Sequence, residues 1–455
     1  MTASVTVEHT KDYLTIETSG FNTATINGIR RTMLLDVECL GFCEEINTED
    51  LALLTGLAEK RHTVLVDTLA SQSIPILAHR CSRIPIHTSE ETIEMLKSTP
   101  ERKVFFVVCE DFDPADVKDL SFITRPFILE EGLSHTIYSR DLEPVVLTGS
   151  DHDGNMVYTY NKTESESIKA NIKKIFPYNV IVAVVKHQEK LNIVLNAVSG
   201  TGRENVRWTP CTFRYTYQMD PGWLKQGKGV IHNGSVTTPF GGSVTRKIQD
   251  EKPLRYLFTH GPDDRPYNKF GKPFGHKMMF QYNGKMNHVE AFYQSIENLK
   301  NSIKFFKEKY DESDQDEPVI LKTEPTVFAD SSGMESQVEI LTIPKNIQDE
   351  HPAEVTVLTD HTIGNLLTSK MLEIVDSLID DSSDLWTRTH IAYKIPHPLV
   401  KQSVIMIKLP YELMGEGDNK LMDHRDLVTK TVTEIISDLE SLEKSVKSQI
   451  TDYEK

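Results

Sequence analysis

The stretch TDHTIGNLL, residues 359–367, places an acid, a histidine and a hydroxyl side by side. Asp360, His361 and Thr362 are consecutive, and consecutive residues at a helix start point in different directions, so they rarely meet as a catalytic triad. An aspartate directly before a helical pattern is instead a favourable N-cap, because its carboxylate accepts a backbone N–H of the first turn. The residues that follow have helical spacing, at Ile363, Leu366, Leu367 and Met371. We therefore interpret the stretch as the beginning of a helix.

The order of elements around this helix occurs twice in the chain. AEVTVLT (353–359) predicts a strand before the capped helix. Near the beginning, alternating apolar residues at 5–16 predict strands before GFNTATINGIRRTMLLDVE (20–38), in which Asn22 or Thr23 is the predicted N-cap. The apolar residues of this first helix again have helical spacing, at Ile26, Ile29, Met33, Leu34 and Val37.

The two segments also align residue by residue and end alike. When Asn27 is placed on Asn365, the cap positions Asn22 and Asp360 coincide. Each segment then closes in a long amphipathic helix. The first begins at a cap-like Asn287 and carries Val289, Phe292, Tyr293, Ile296, Leu299, Ile303 and Phe306. The second begins near Asp423 and carries Leu427, Val428, Val432, Ile435, Ile436, Leu439, Leu442, Val446 and Ile450.

Length, charge and cysteine usage restrict the class of protein. The 455 residues predict about three domains. The net charge of −17 disfavours a nucleic-acid binder with a broad basic surface, because phosphate neutralisation supplies most of that affinity. Five scattered cysteines predict a reducing compartment. The longest clean apolar run, VIVAVV (180–185), is too short to span a bilayer, so we predict a soluble intracellular protein.

Several further motifs resemble, in order, the RNA polymerase α-like assembly subunits, a family that includes the third-largest subunit of eukaryotic polymerase II, the archaeal D subunit and the bacterial α N-terminal domain. These motifs are NGIRRTMLLDV (27–37), IPILAHRCSRIPI (74–86), TIYSRDL (136–142) and QEKLNIVLNAVSGTGRENVRWTP (188–210). Two more resemble the small partner subunit, the archaeal L or eukaryotic eleventh subunit: DHTIGNLL (360–367) and AYKIPHPL (392–399). The chain looks like a fusion of the two subunits, as in polymerases of several large DNA viruses.

The resemblance implies an α+β fold of two α-like dimerisation modules, each an antiparallel sheet with two helices, packed as an intramolecular pseudo-heterodimer. Fusion raises the effective concentration of one module at the other and fixes their stoichiometry. The long helices are then the expected seam between the modules. The implied domains are a first module at 1–41 and 172–309 with a 219–277 insertion, an insert domain at 42–171, an acidic linker at 310–337 and a second module at 338–455.

The resemblance also implies the function, a non-catalytic assembly platform of a multisubunit DNA-directed RNA polymerase. The expected partners are the β-like second-largest subunit, the largest subunit and a small zinc-bearing subunit. DNA would be contacted only through the complex, no membrane is involved, and a viral protein would work in the host cytoplasm, the nucleus or the virion. No cofactor is expected, and the family's four-cysteine cluster is not, since the insert has only Cys43, Cys81 and Cys109.

Two sets of site residues follow. Adjacent arginines at positions 30 and 31 are either a solvated helix face or a bidentate recognition site for an acidic partner. The tryptophan of NVRWTP (205–210) is either a core plug or an interface anchor. The predicted partner interface is Arg30, Arg31, His79, Arg80, Arg83, Arg207, Trp208 and Pro210. The predicted intramolecular dimerisation residues are Ile29, Met33, Ile296, Ile303, Leu366, Leu367, Ile435 and Leu439.

The alternative from another class is a metal-dependent enzyme that uses His79, Cys81 and His87. Histidine and cysteine are common zinc ligands, but these spacings are not those of zinc fingers or ribbons, and no Cys-x-x-Cys occurs. Stoichiometric zinc in the purified chain, or an activity lost on His361→Ala, would favour this alternative. A third option is an acidic scaffold unrelated to transcription.

Overall fold

The computed structural model describes residues 4–42, 80–108, 133–152, 155–186, 193–218, 231–232, 235–237, 243–245, 275–312, 319–322, 337–340, 353–357, 361–379, 389–394, 403–409, 422 and 424–453. The helices are α1 (Thr23–Leu35), α2 (Glu90–Leu96), α3 (Lys162–Ala170), α4 (Ile172–Ile175), α5 (His288–Glu312), α6 (His361–Asp376) and α7 (His424–Tyr453). Within these ranges, no helix has both the length and the apolar character needed to cross a membrane.

The strands all pair in antiparallel ladders within the described residues, so the predicted α+β class with antiparallel sheets is confirmed. They are β1 (Ser4–His9), β2 (Tyr13–Ser19), β3 (Glu38–Phe42), β4 (Arg102–Val108), β5 (Ser134–Tyr138), β6 (Glu143–His152), β7 (Asn155–Tyr160), β8 (Ile181–Lys186), β9 (Ile193–Leu195), β10 (Ala197–Thr201), β11 (Thr212–Gln218), β12 (Ile231–His232), β13 (Ser235–Thr237), β14 (Ser243–Thr245), β15 (Gly275–Gln281), β16 (Val319–Lys322), β17 (Gln337–Ile340), β18 (Ala353–Val357), β19 (His390–Lys394) and β20 (Ser403–Lys408).

The chain divides into two compact units. The first unit contains Met1–Met33, Phe213–Gln281 and Phe292–Lys455, and the second contains Leu34–Thr212 and Tyr282–Ala291. The module boundaries predicted from the sequence divide the chain differently, at 41/42 and 171/172. Those boundaries remain a prediction, because compactness does not report which segments share an ancestor or a partner.

The first unit contains two larger sheets. One has the strand order β1-β2-β15-β11, and the other has the order β18-β20-β19. In the first sheet Ile16 of β2 lies between Val7 of β1 and Met278 of β15, and all three side chains are buried. The period-two alternation of the sequence thus places one face of these strands in the core, as predicted.

Helix α1 begins where its cap predicts. The backbone N–H of Ala24 donates to Asn22 Oδ1 at 2.7 Å, and Ile26 N donates to the Asn22 carbonyl. Asn22 is therefore the N-cap, which satisfies donors that the first turn leaves unpaired. Helix α6 begins at His361, directly after the predicted cap. Asp360 itself lies outside the described residues.

The long helices α5 and α7 bury the stripes that their spacing predicts. On α5 the buried side chains are Phe292, Ile296, Leu299, Ile303 and Phe306, whereas Val289 and Tyr293 are half-buried. On α7 the whole predicted stripe is buried except for the half-buried Ile436. Most of the stability of such helices comes from packing this apolar face.

The second unit is organised around aromatic side chains. Its sheet has the order β7-β6-β4-β9, and two further ladders pair β3 with β10 and β5 with β8. The rings of Phe42, Phe106 and Phe176 contact one another with centroids 5.3 to 6.0 Å apart inside one buried cluster. Helix α2 is capped by Ser89, whose hydroxyl accepts from Thr92 N.

The outer edge of β1 is occupied by a side chain from the far end of the chain. Gln449 of α7 accepts from Val7 N through Oε1 and donates to the Val5 carbonyl through Nε2, both at 2.9 Å. The amide thus makes the pair of hydrogen bonds that a neighbouring strand would make. An edge strand presents unpaired backbone groups that invite further pairing, and this amide removes two of them.

We expect Gln449→Ala to destabilise the first unit by about 2 kcal/mol, because two backbone groups of β1 lose their partner. Amide hydrogen exchange of Val7 should accelerate correspondingly. Ser448→Ala, at an exposed position one residue away, is the matched control and should leave that exchange rate unchanged. Equal protection of Val7 in Gln449→Ala and in the wild type would show that the amide adds nothing to the edge.

Candidate helix-pairing and partner-binding site

Helices α1 and α6 lie antiparallel in the first unit and meet near the motif residues of both segments. Ser369 Oγ donates to Asn22 Oδ1 at 3.1 Å, which joins the start of α1 to the middle of α6. Arg31 Nε donates to Thr362 Oγ1 at 2.7 Å, which joins the later part of α1 to the start of α6. Each hydrogen bond spans more than 300 residues of sequence, with separations of 347 and 331.

Gly28 lies between these two hydrogen bonds and lets the helices approach. A Cβ at Gly28 would stand 3.8 Å from Leu366 Cδ2 and 3.3 Å from Leu299 Cδ2. The missing side chain therefore leaves room for leucines from α5 and α6 on the same spot. The helices approach closely at this position because glycine has no side chain, and not because of an unusual backbone conformation.

The predicted dimerisation residues are all fully buried in the first unit. Their relative exposures are 0% at Ile29, Met33, Ile296, Ile303, Leu366, Leu367, Ile435 and Leu439. They come from α1, α5, α6 and α7, two helices from each predicted module. Whether these residues serve dimerisation of related modules remains a prediction, but their packing supplies the apolar area that such pairing needs.

Two lysines that the sequence analysis missed join these helices by charge. Lys300 of α5 lies 2.9 Å from Glu443 of α7 and 2.8 Å from Glu297 of its own helix. Its side chain is only 10% exposed. Burial alone would lower the pKa of Lys300, but its hydrogen bonds to both carboxylates raise that pKa above the ordinary value. The sequence offered no signal, since a lysine beside an apolar stripe is usually a solvated residue.

Lys370 of α6 is held in the same way. Its ammonium lies 2.8 Å from Asp438 and 3.4 Å from Glu434, both on α7, and 3.6 Å from Glu373. Burial alone would lower the pKa of Lys370, but the hydrogen bond that its ammonium donates to Asp438 and the surrounding negative charges raise that pKa. The register of α7 against α6 is therefore set by a charge cluster as well as by apolar packing.

We expect Lys370→Met to lower the free energy of unfolding by about 2 kcal/mol, because it removes a charged hydrogen bond and leaves three carboxylates together. The folded-state pKa is raised, so the contribution is fully present below the ordinary value of 10.5 and is lost as pH rises through the folded pKa. The difference from wild type should thus be constant between about pH 7 and 9 and shrink only as the pH rises beyond 10.5. Lys444→Met, at an exposed lysine on α7, is the control. A stability loss equal to that control would contradict the role of the cluster.

Arg30 and Arg31 are adjacent in sequence but have different surroundings. Both are half-buried. Arg30 Nε donates to Asn27 Oδ1 of its own helix at 2.9 Å, and no carboxylate among the described residues pairs with it. Arg31 is engaged by Thr362 of α6. Of the two predicted interface arginines, Arg30 is therefore the one whose fork of N–H donors is available to a partner carboxylate.

The remaining interface predictions fall in the second unit. Arg80 and Arg83 are both exposed on a short helical turn in which Arg83 N donates to the Arg80 carbonyl. His79 lies outside the described residues. The structure thus brings two of these three predicted residues onto one exposed turn.

Trp208 is a core residue of the second unit. It ends a 3-10 turn, Val206–Trp208, and is 7% exposed. Its ring covers Gly41 of β3 and Gly200 of β10, where added Cβ atoms would stand 2.2 and 2.4 Å from ring atoms. The guanidinium of Arg207 lies 4.7 Å from the centre of this ring, a cation–π contact.

This packing bears on the two readings of the tryptophan left open above. Pro210 is buried as well. Trp208 therefore packs as a core residue. Because the indole ring is buried, a partner that binds here would contact Arg207 and the surface of the turn. The predicted interface role of Trp208 is then to support this surface from within, and that role stays a prediction.

The structure describes two of the three residues of the metal-enzyme alternative, Cys81 and His87. Cys81 is buried, and burial raises the pKa of its thiol to about 12, so it is protonated at neutral pH. The thiolate is the form that binds metal or attacks a substrate. His87 Nδ1 is instead 3.3 Å from the hydroxyl of Tyr282. In the described part of the chain, no three His, Cys, Asp or Glu side chains gather as a metal site.

No protein-family model matches the chain, and none of the curated proteins matches its sequence.

Proposed function

We propose that this chain is a non-catalytic assembly platform of a multisubunit DNA-directed RNA polymerase, in which two α-like modules on one polypeptide pair with each other. The observation that carries the proposal is the geometry of the α1–α6 contact. Helix α1 contains NGIRRTMLL of the first polymerase-like motif, and α6 contains HTIGNLL of the motif that resembles the small partner subunit. They are in contact in the first unit through Arg31 and Thr362.

The contact has the form expected of a pair related by a two-fold axis. In such an interface, if position i of one module contacts position j of the other, then position j of the first contacts position i of the second. A residue on the axis contacts the equivalent residue of the other module. The alignment of Asn27 with Asn365 makes Gly28 equivalent to Leu366, and these two positions face each other. Gly28 and Leu366 thus mark the proposed pseudo-two-fold axis.

The hydrogen bonds on either side of this axis agree with it. The same alignment makes Arg31 equivalent to Ser369, and each of these side chains bonds to the beginning of the opposite helix. Arg31 reaches Thr362, whose equivalent is Ala24, and Ser369 reaches Asn22, two residues from that position. The two sides are near-reciprocal rather than identical, as expected of a pseudo-heterodimer.

The elements around the axis also fit two modules of one plan. Each predicted module contributes an antiparallel sheet, a shorter helix and a long amphipathic helix. The charged contacts of Lys300 and Lys370 both end on α7, so the last helix of the second module is joined to helices of both modules. A paired platform of this kind needs no catalytic residues of its own, and the net charge of −17 suits a subunit placed away from the nucleic acid.

The test is affinity purification of the tagged full-length chain from the cells or virions that produce it, followed by mass spectrometry of the co-eluting proteins. We expect the two largest subunits of a DNA-directed RNA polymerase in amounts comparable to the bait, and transcription activity in the eluate. A folded bait that recovers no polymerase subunit would refute the proposal. Recovery of stoichiometric zinc with the isolated chain would favour the metal-enzyme alternative instead.

A further inference from the structure

The turn between α2 and β4 brings a threonine next to an arginine. Thr99 N donates to the Arg102 carbonyl at 2.7 Å, and Arg102 N donates to the Thr99 carbonyl at 3.1 Å, so these residues close a two-residue hairpin turn. In such a hydrogen-bonded antiparallel pair, the two side chains project from the same face, with Cβ atoms roughly 5 Å apart. The Thr99 side chain therefore lies beside the first atoms of the Arg102 side chain.

The guanidinium of Arg102 holds three groups around this turn. Its Nε donates to Glu164 Oε2 of α3 at 2.7 Å. Its two terminal nitrogens donate to the carbonyls of Met95 and Lys97, at 2.8 and 2.7 Å. These carbonyls lie at the C-terminal end of α2, where a helix leaves acceptors unpaired. Arg102 thus connects α2 and α3 to the beginning of β4.

The turn presents its threonine with an exposed tip. Pro100 and Glu101 are exposed, and Thr99 is half-buried. The hydroxyl of the neighbouring Ser98 accepts from Val104 N at 3.2 Å, whereas no described residue forms a hydrogen bond with the Thr99 hydroxyl. The proline that follows Thr99 restricts the threonine to an extended backbone. Thr99 is therefore an extended residue with a hydroxyl that the described fold does not use.

The sequence around Thr99 distinguishes it from the other threonines that precede a proline. The chain has three Thr-Pro pairs, at Thr99, Thr209 and Thr238, and no Ser-Pro pair. Only the first, in STPERK (98–103), has a basic residue two positions after the proline. A threonine followed by proline and a basic residue at this distance is the substrate pattern of proline-directed protein kinases, whose specificity reads charge. The hydroxyl of Thr209, in contrast, donates to the Val206 carbonyl.

We propose that Thr99 is a phosphorylation site for a proline-directed protein kinase, and that the phosphate takes Arg102 away from Glu164 and from the end of α2. In the reaction, Thr99 Oγ1 forms a bond to the γ-phosphorus of ATP while the bond between this phosphorus and the β-phosphate oxygen breaks. ADP leaves, and the hydroxyl proton passes to the catalytic base of the kinase. The product carries a charge of about −1.5 to −2 and three acceptor oxygens next to Arg102.

A phosphate is a stronger partner for Arg102 than the groups that it holds in the unmodified chain. Two of those groups are neutral carbonyls, and the third is the carboxylate of Glu164, whose side chain is 43% exposed. The guanidinium fork matches phosphate oxygens in a bidentate manner, and the phosphate also repels the Glu164 carboxylate. We therefore expect α2 to lose the donors at its C-terminal end and α3 to lose its ion pair. This site does not depend on the proposed polymerase function.

The first experiment incubates the purified full-length chain with ATP and a cyclin-dependent kinase, and maps the phosphate by mass spectrometry. We expect phosphate at Thr99 in preference to Thr209 and Thr238, and none at position 99 in Thr99→Ala. Arg102→Lys is the matched control, because it keeps the basic residue of the kinase pattern and should remain a substrate. A folded wild-type chain that takes up no phosphate at Thr99 overturns the proposed site.

The second experiment measures hydrogen exchange of the α2 amides before and after phosphorylation. Exchange should accelerate at least roughly tenfold, because hydrogen bonds from a charged donor stabilise the end of this helix. In Arg102→Lys the fork is already absent, so α2 should exchange fast before phosphorylation and change little after it. Circular dichroism confirms the fold of each variant. Equal exchange of α2 in phosphorylated and unmodified wild-type chain refutes the transfer of Arg102 to the phosphate.

Discussion

Replacing Arg30 with glutamate should abolish capture of the largest polymerase subunits while the isolated chain stays folded. Arg30 makes one hydrogen bond within its own helix, to Asn27, so its removal costs the fold little. Its terminal N–H groups are suited to a bidentate bond with a partner carboxylate, and a glutamate there would repel that carboxylate. Loss of such a charge pair at an interface reduces affinity by roughly two to four orders of magnitude.

The measurement is the recovery of the second-largest subunit per mole of bait, with the thermal unfolding of the bait recorded in parallel. Arg425→Glu makes the same charge change at an exposed residue at the start of α7, where a negative charge suits the helix dipole, and serves as the control. Unchanged recovery with Arg30→Glu would remove α1 from the partner interface.

Arg31→Glu should behave differently, which separates the two adjacent arginines. Its side chain bonds to Thr362, so this substitution weakens the contact of α1 with α6. We expect reduced thermal stability of the first unit together with reduced capture. The two substitutions therefore distinguish a partner contact at position 30 from an intramolecular contact at position 31.

Replacing Gly200 with alanine should destabilise the second unit by about 3 kcal/mol, the upper range for overpacking a well-filled core. The new methyl group would stand 2.4 Å from two atoms of the Trp208 ring, closer than side chains pack. The indole is held between two strands, because Gly41 of the adjacent β3 lies under the same ring. It therefore cannot move aside without leaving its place in the core. Urea midpoint and hydrogen exchange of β10 measure the loss.

A double-mutant cycle tests that the clash with Trp208 causes this loss. Trp208→Ala alone should cost about 3 to 5 kcal/mol through the cavity it leaves. In the double variant the alanine methyl enters the emptied space, so the combined loss should fall short of the sum by more than about 1 kcal/mol. Ser199→Ala, at the exposed neighbouring position, should change the midpoint little. If the stability losses of Gly200→Ala and Trp208→Ala simply add, the strain of Gly200→Ala does not come from its contact with Trp208.

The sequence predicted the local features of the fold well. The N-cap at Asn22, the helix after Asp360, and the stripes of α5 and α7 depend on residues within a few turns of one another. Caps and apolar periodicity are local codes, which a single sequence displays in full. The strands beginning at 4, 13 and 353 could be predicted for the same reason, through their alternation.

The candidate site was only partly predictable. The arginine pair on α1 was found, but the engagement of Arg31 by Thr362 was not, and Trp208 turned out to be buried between glycines of two strands. Lys300 and Lys370 carried no signal in the sequence. A lysine's role depends on which carboxylates surround it, and those of Lys370 on α7 come from a helix more than 60 residues away.

The sequence by itself determined which segments become capped helices and alternating strands, and through its motifs it set the expectation of two related modules. Only the tertiary structure decided that Gly28 faces Leu366 near the proposed axis and that Gln449 closes the edge of β1 across 442 residues. The physical reason is the distance along the chain over which each effect acts. Local propensity and periodicity act over a few residues, whereas close approach, desolvation and charge balance depend on groups that only folding brings together.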